Sequence, residues 1–429
     1  MKLLIKNGDV IDPLLNTIRK QDILAENGLI VALGELLEAE DAQMVDASGL
    51  MVAPGLIDMH VHFRDPGQTY KEDIVSGSYA AARGGFTTVT CMPNTKPTID
   101  TPEMIAYVYD RAKEGSGVRV LPIGALSFGE KGEALTDAAA LKAAGAVALS
   151  DDGIPVMNAN LMRDGLICAS REGMVILSHC EDAEMVKNYA VNEGRVSRQL
   201  GIPGRPAIAE EIMVMRDAML AEETDTAVHI CHISTGKAVD IVRRYKKRGV
   251  RITCETCPQY YTLTQEEILR QGTMARVNPP LRTSNDVDAI LAAVKDGTID
   301  CIVTDHAPHS AEEKARPLEQ APSGMVGLET SLGITLTRLY HTGELTMPEI
   351  IAKMTVNPAR ILGLDKGTIN LGSDADLTIF DPNEEWVVDA AQFASKGHNT
   401  PFNGAKLRGR VKYTIVGGTI VYQDGGDET

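Results

Sequence analysis

His60 and His62 stand two residues apart at the end of an apolar run, with Asp58 before them and Arg64 after them. Alternate side chains along a strand share a face, so these residues point one way, and imidazoles about 6.6 Å apart suit a divalent ion. Further along come Asp151-Asp152, His179, His229, His232, Asp305-His306 and His309. Imidazole and carboxylate are the ligands of hydrolytic metal sites. A carboxylate can join two ions, and such sites activate water against a carbonyl carbon.

Not every member of this set can face one point. His229 and His232 are three residues apart and point to opposite faces; His232, nearer the strand end, is the inward one and His229 a packed histidine. By the same reasoning Asp305 points inward and His306 does not. His341 falls in a helical stretch and His398 near the C-terminus, where structural or surface roles are expected. Asp151 and Asp152 both qualify as a metal bridge on spacing alone.

The elements that must position these residues are read from hydropathy. Strand-like runs lie at 51–63, 86–93, 118–126, 146–151, 174–180, 226–233, 250–257 and 301–307. Between them lie helical stretches, among them 74–83, 102–113, 137–144, 181–192 and 285–295, and the Gly-, Pro- and Arg-rich segment 195–206 reads as an irregular insertion. Strands alternating with helices indicate a parallel sheet, and eight such units indicate a (β/α)8 barrel, a TIM barrel. Chemistry in that fold sits at the C-terminal ends of the strands, where seven of the nine histidines fall. The chain ends read as short strands, 2–6, 23–26 and 29–33 before the barrel and 368–370, 375–380, 386–388, 409–416 and 419–422 after it, with Asn7-Gly8 and Asn27-Gly28 as hairpin signals. They are expected to pair into a small β-sandwich, which divides the chain into 1–53, a barrel over 54–366, and 367–429.

A net charge of −17 argues against nucleic acid or an anionic membrane surface as partner. No run approaches the length of a spanning helix, and the N-terminus does not read as a signal peptide. Seven scattered cysteines, with Cys254 and Cys257 as a lone CxxC, fit reduced thiols and a cytoplasmic location.

Two stretches carry a family resemblance. Asp58-x-His60-x-His62-Phe63-Arg64-x-Pro66-Gly67 and Thr304-Asp305-x-Ala307-Pro308-His309, with Lys314 beyond, resemble the two signatures of the dihydroorotases in the amidohydrolase superfamily. Cys91-Met92-Pro93-Asn94, Ser150-Asp151-Asp152-Gly153, 201–211, 324–330 and 372–381 are similar to the bacterial class I type. The resemblance implies the barrel-plus-sandwich fold and two zinc ions per chain. One zinc would sit on His60, His62 and Asp305, the other on His179 and His232, with Asp152 bridging. Many relatives bridge through a carboxylated lysine, and 146–153 contains no lysine.

The same resemblance gives Arg64, Asn94 and His309 to a substrate carboxylate and Asn278 to its ring. It places His62 in reach of the substrate and a backbone contact at Ser323-Gly324, where this chain has serine in place of the family's aromatic. The implied reaction is reversible interconversion of (S)-dihydroorotate and N-carbamoyl-L-aspartate in pyrimidine biosynthesis, by a metal-bridging hydroxide with Asp305 as general base and acid. Rival readings are another cyclic amidohydrolase (dihydropyrimidinase, hydantoinase or allantoinase) and an inactive scaffold partner of aspartate transcarbamoylase. A homo-oligomer, with or without association with aspartate transcarbamoylase, is the expected assembly.

Overall fold

In the computed structural model, which describes residues 2–426, the apolar run at 51–63 serves two sheets rather than one strand. Met51–Pro54 pairs with strands from both chain ends, and Leu56–Val61 begins the barrel. Gly55 is the joint. A Cβ there would lie 2.1 Å from Oγ1 of Thr87, so only glycine lets the chain cross from one sheet to the other at this spot.

The (β/α)8 barrel is present. Its parallel strands are Leu56–Val61, Phe86–Cys91, Arg119–Pro122 continued by Gly124–Ala125, Leu149–Ser150, Ile176–Ser178, Val228–Ile230, Ile252–Thr256 and Cys301–Ile302. The ring closes where Val61 bridges His306 and the His62 amide donates to the His306 carbonyl at 2.8 Å. Helices pack outside, started by side-chain caps such as Asp73, Thr101, Asp137, Asn158, Thr235 and Thr283. Each cap takes up backbone donors that a helix start leaves unpaired, which sets where each strand-to-helix loop ends.

The chain ends make one eight-stranded sheet with its own apolar core, including Leu3, Ile5, Ile23, Val52, Leu377, Ile379 and Ile415. Asn27-Gly28 does turn a hairpin between Thr17–Glu26 and Leu29–Gly34. Asn7-Gly8 does not. It is a bulge inside the single strand Lys2–Asp12, where that strand changes partner from Gln43–Asp46 to Met51–Pro54. Asn7 takes φ 62 there, so a conformation that signals a turn is used to kink a strand. The stretch 368–370 is not a strand, and 375–380 and 386–388 belong to one strand, Leu377–Val387.

The expected helix at 181–192 is only Ala183–Val186, followed by the short strand Val191–Asn192. The insertion at 195–206 is ordered, as the helix Arg195–Leu200 and the strand Gly204–Arg205, which pairs with Val191–Asn192. All seven cysteines are unpaired. Among the described residues, no helix is long and apolar enough to cross a membrane.

Candidate metal centre

Each residue of the centre hangs from the C-terminal end of a barrel strand. His60 is in the first strand, and His62 follows it. Nδ1 of His60 donates to Oε1 of Glu255, a residue of the seventh strand, at 2.6 Å. Nδ1 of His62 donates to Oδ1 of Asn94 at 3.0 Å. Both partners lack a proton to give, so they fix the tautomer in which each Nε2 turns a lone pair inward.

Those two Nε2 atoms lie 3.4 Å from Oδ2 of Asp152, while Oδ1 of Asp152 lies 3.5 Å from Nδ1 of His179 and 3.4 Å from Nε2 of His232. One carboxylate thus divides its oxygens between two histidine pairs. Oδ1 of Asp305 stands 3.1 Å from Nε2 of His62 and 3.5 Å from Nε2 of His60. The trios His60, His62, Asp305 and Asp152, His179, His232 each hold their ligand atoms within 4.8 Å of one another, all buried. All six ligand residues expected from the sequence therefore come together.

The donor set fits a cation. Nε2 of His60 and Oδ1 of Asp152 are buried with no hydrogen-bond partner among the described residues, although they face a cluster of other acceptors. Buried polar atoms are rarely left so, and a shared positive ion would satisfy both. The electrostatics agree. Burial works against the charged form of Asp152, but His60, His179 and His232 outweigh it and hold the carboxyl well below its usual range. Burial likewise opposes charge on His60 and His179, yet Asp152 with Glu255 raises the first well above its ordinary value, and Asp152 with Glu181 raises the second to about 9. The centre attracts positive charge.

Asp151 and Asp152 separate clearly. Oδ1 of Asp151 accepts from the amides of Leu126 at 2.8 Å and Ser127 at 2.9 Å, and its other oxygen takes the Ser127 hydroxyl. It ties the fourth strand to the third and faces away from the histidines. Asp58 shares the inward face but lies a layer lower, where its carboxylate holds Thr304 Oγ1 at 2.5 Å. His229 is packed between Thr253 and Glu255, at 2.8 and 3.1 Å. His306 reaches Glu72 and accepts from the Gly327 amide, His341 donates to the Pro382 carbonyl, and His398 is exposed.

Above the ligands opens a cavity of about 200 Å³, lined among others by His62, Arg64, Asn94, Arg205, Asn278, Ser323 and Gly324. It is smaller than the roughly 300 Å³ at which pockets for drug-sized ligands begin, which suits a compact polar molecule. Arg64 makes no ion pair among the described residues; its Nε donates to the Pro308 carbonyl at 3.4 Å. Burial lowers its pKa while the more distant Asp305 and Glu313 oppose that, so it is a cation short of a partner. Three non-glycine residues here hold left-handed backbones, Arg64 at φ 60, His232 at φ 32 and Asp305 at φ 50. Such strain persists where surrounding structure enforces it, often at functional sites.

His309 stands apart from the other expected substrate residues. Its Nε2 donates to the Ser323 carbonyl at 2.8 Å, and burial with Arg64, Lys71 and Lys314 nearby keeps it neutral. Here it braces the Ser323-Gly324 loop rather than lining the cavity. Lys314 completes that brace, with Nζ donating to the carbonyls of Pro322 at 3.1 Å and Gly324 at 2.9 Å.

Sequence reading passed over Glu255, Glu181, Arg205 and Cys231, which lies in a third ligand trio with His60 and Asp152. A signal existed for Glu181, two residues after His179, and for Glu255, the single acid in the strand-like run 250–257.

A family described as dihydro-orotase-like matches residues 49–238. The chain is 52% identical over 421 residues to a dihydroorotase of Ruminiclostridium cellulolyticum, covering 98% of each. It is 51% identical over 424 residues to one of Pelotomaculum thermopropionicum, covering 99% of each. Among solved structures, L-hydantoinase (dihydropyrimidinase) from Arthrobacter aurescens superposes with a TM-score of 0.89 at 26% identity, over 99% of this chain and 96% of that one. D-hydantoinase (dihydropyrimidinase) from Thermus sp. gives 0.87 at 27%, over 99% and 96%.

Proposed function

The chain belongs to the dihydroorotase family, hydrolases of a cyclic amide, and from that premise we propose that it interconverts dihydroorotate and N-carbamoyl-aspartate at the centre just described. The observation that carries the reading is the unpaired guanidinium of Arg64 in the same small cavity that five of the six converging residues line, His62, Asp152, His179, His232 and Asp305. Dihydroorotate offers a carboxylate for that guanidinium and a ring amide for the centre. Hydantoin and dihydrouracil offer the amide alone, which would leave Arg64 unanswered.

The ligand set of imidazoles and carboxylates suits zinc, one ion for each trio. When bound, such a pair supplies Lewis acidity toward the amide carbonyl and a lowered pKa for water. His60, His62 and Asp305 would hold the first ion, His179 and His232 the second, and Asp152 one oxygen to each. Arg64 binds the substrate carboxylate, and a guanidinium can do so through two parallel bonds. Oδ1 of Asn94 is already engaged by His62, so its amide nitrogen is left to donate toward the same carboxylate. Asp305 takes a proton from the attacking water and returns it to the ring nitrogen as the carbon–nitrogen bond breaks. In the reverse direction it removes that proton and the ring closes.

The test is direct. Purified protein supplied with zinc should consume dihydroorotate at least a hundredfold faster than dihydrouracil, hydantoin or allantoin. Preference for an uncharged ring would overturn the reading.

A further inference from the structure

We propose that Arg205 is a second substrate-recognising arginine, which together with Asn278 holds the urea carbonyl of the ring, the carbonyl that the reaction does not touch. The inference rests on the reading of the substrate as dihydroorotate.

Arg205 comes from the short strand pair built by the insertion, and its side chain lines the cavity while the residue is only 7% exposed. Its donors are largely assigned. Nε donates to the Tyr189 carbonyl at 2.6 Å, and Nη1 donates to Oε2 of Glu181 at 2.6 Å and to Oδ1 of Asn278. Nη2 makes no hydrogen bond among the described residues. A guanidinium holds five donors and no acceptor, so two remain for a ligand.

The same chemistry orients Asn278. Because Arg205 can only donate, the Asn278 atom facing it must be the carbonyl oxygen, which turns Nδ2 toward His179, 3.5 Å from its Nε2. The wall therefore presents two N–H groups from adjacent side chains, a match for one carbonyl oxygen.

Charge divides the labour between the two arginines. Arg205 is neutralised by Glu181, so it suits an uncharged acceptor; Arg64 has no such partner and suits a carboxylate. The placement of Arg205 is also firmly held. Its carbonyl accepts from Arg282, which is itself fixed by Asn192 and Glu210. A donor held in advance loses little freedom on binding.

The experiment compares dihydroorotate with its 2-thioxo analogue, whose sulfur accepts hydrogen bonds poorly at that one position. KM and kcat are measured for both substrates in wild type, Arg205→Met, Arg205→Lys and Arg64→Met, with melting temperature and metal content followed alongside. In wild type the thioxo analogue should show a KM about tenfold or more above that of dihydroorotate. Arg205→Met should raise KM for dihydroorotate about 10- to 100-fold, with a smaller change in kcat, and bring the ratio of the two KM values toward one. Arg205→Lys should restore part of that ratio, and Arg64→Met should raise both KM values while leaving their ratio unchanged. Equal losses on both substrates in the Arg205 variants would make the residue structural and overturn the proposal. If those variants do not fold, wild type decides: a thioxo-to-oxo KM ratio near one overturns the proposal, and a ratio of ten or more supports it. Failure of wild type to process dihydroorotate at all would instead remove the reading on which the proposal rests.

Discussion

Oε1 of Glu255 stands 2.6 Å from Nδ1 of His60, and its other oxygen stands 3.1 Å from Nε2 of His229. The fully buried carboxylate joins the sixth and seventh strands to the first and leaves His60 a single way to face the centre. Replacing Glu255 with Gln removes the charge that fixes the His60 tautomer. Metal affinity should fall by about 10- to 100-fold, the usual effect of losing such a partner, as read by equilibrium dialysis with elemental analysis. Unchanged affinity would mean that packing alone orients the imidazole.

The two adjacent aspartates should fail in different ways. Asp152→Ala should abolish both metal retention and turnover, because its oxygens face both histidine pairs. Asp151→Ala should keep the metal and lose roughly 1.5–3 kcal/mol of stability, the worth of a charged hydrogen bond, seen as a lower midpoint in urea. Metal-free protein should regain full activity from zinc alone in buffer stripped of carbon dioxide, since an aspartate bridge needs no carboxylation. A requirement for bicarbonate would point to a lysine as the true bridge.

Asp305 and Arg64 should separate chemistry from binding. Asp305→Asn should cut kcat by about 10²- to 10⁴-fold, the range for a lost general acid–base, with the fold intact. Arg64→Met should act mainly on KM, at a cost of about 1.5–3 kcal/mol, and leave metal content alone. Loss of metal from Arg64→Met would make the arginine structural.

Glu130 offers a test by pH. It is 5% exposed, and its Oε1 has no partner among the described residues. Burial, with Asp151, Asp152 and Asp100 nearby, pushes its pKa from the ordinary 4.5 up to about 9. Between those values the folded protein keeps a proton that the unfolded chain has released, so stability falls as pH rises through the window. The slope is at most about 1.4 kcal/mol per pH unit. Glu130→Gln carries no such charge and should flatten the decline, so that it is the more stable protein at pH 9. Urea midpoints at pH 5, 7 and 9 that move in parallel for both proteins would refute this.

The barrel and most of the candidate ligands were legible because both rest on short-range rules, while the choice of Asp152 over Asp151 came only from the family resemblance. His60 and His62 declare themselves by alternation, and the other ligands fall just past apolar runs that can only be buried strands. What was hidden depends on distant pairing. The break at Gly55 exists because Thr87 approaches it, and the Asn7-Gly8 bulge exists because two different strands lie beside one. Glu255 and Arg205 were silent for the same reason. A lone acid in a strand or an arginine in an insertion acquires a role only from the side chains brought against it.

His62 and Asp305 are 243 residues apart in the chain, and the ring of strands closes beside them, Val61 against His306. Ligands on either side of that junction cannot meet before the last strand has docked against the first. An ion on His60, His62 and Asp305 would therefore have no cage to organise until the ring closes, whereas Asp152, His179 and His232 hang from three consecutive strands and can come together earlier.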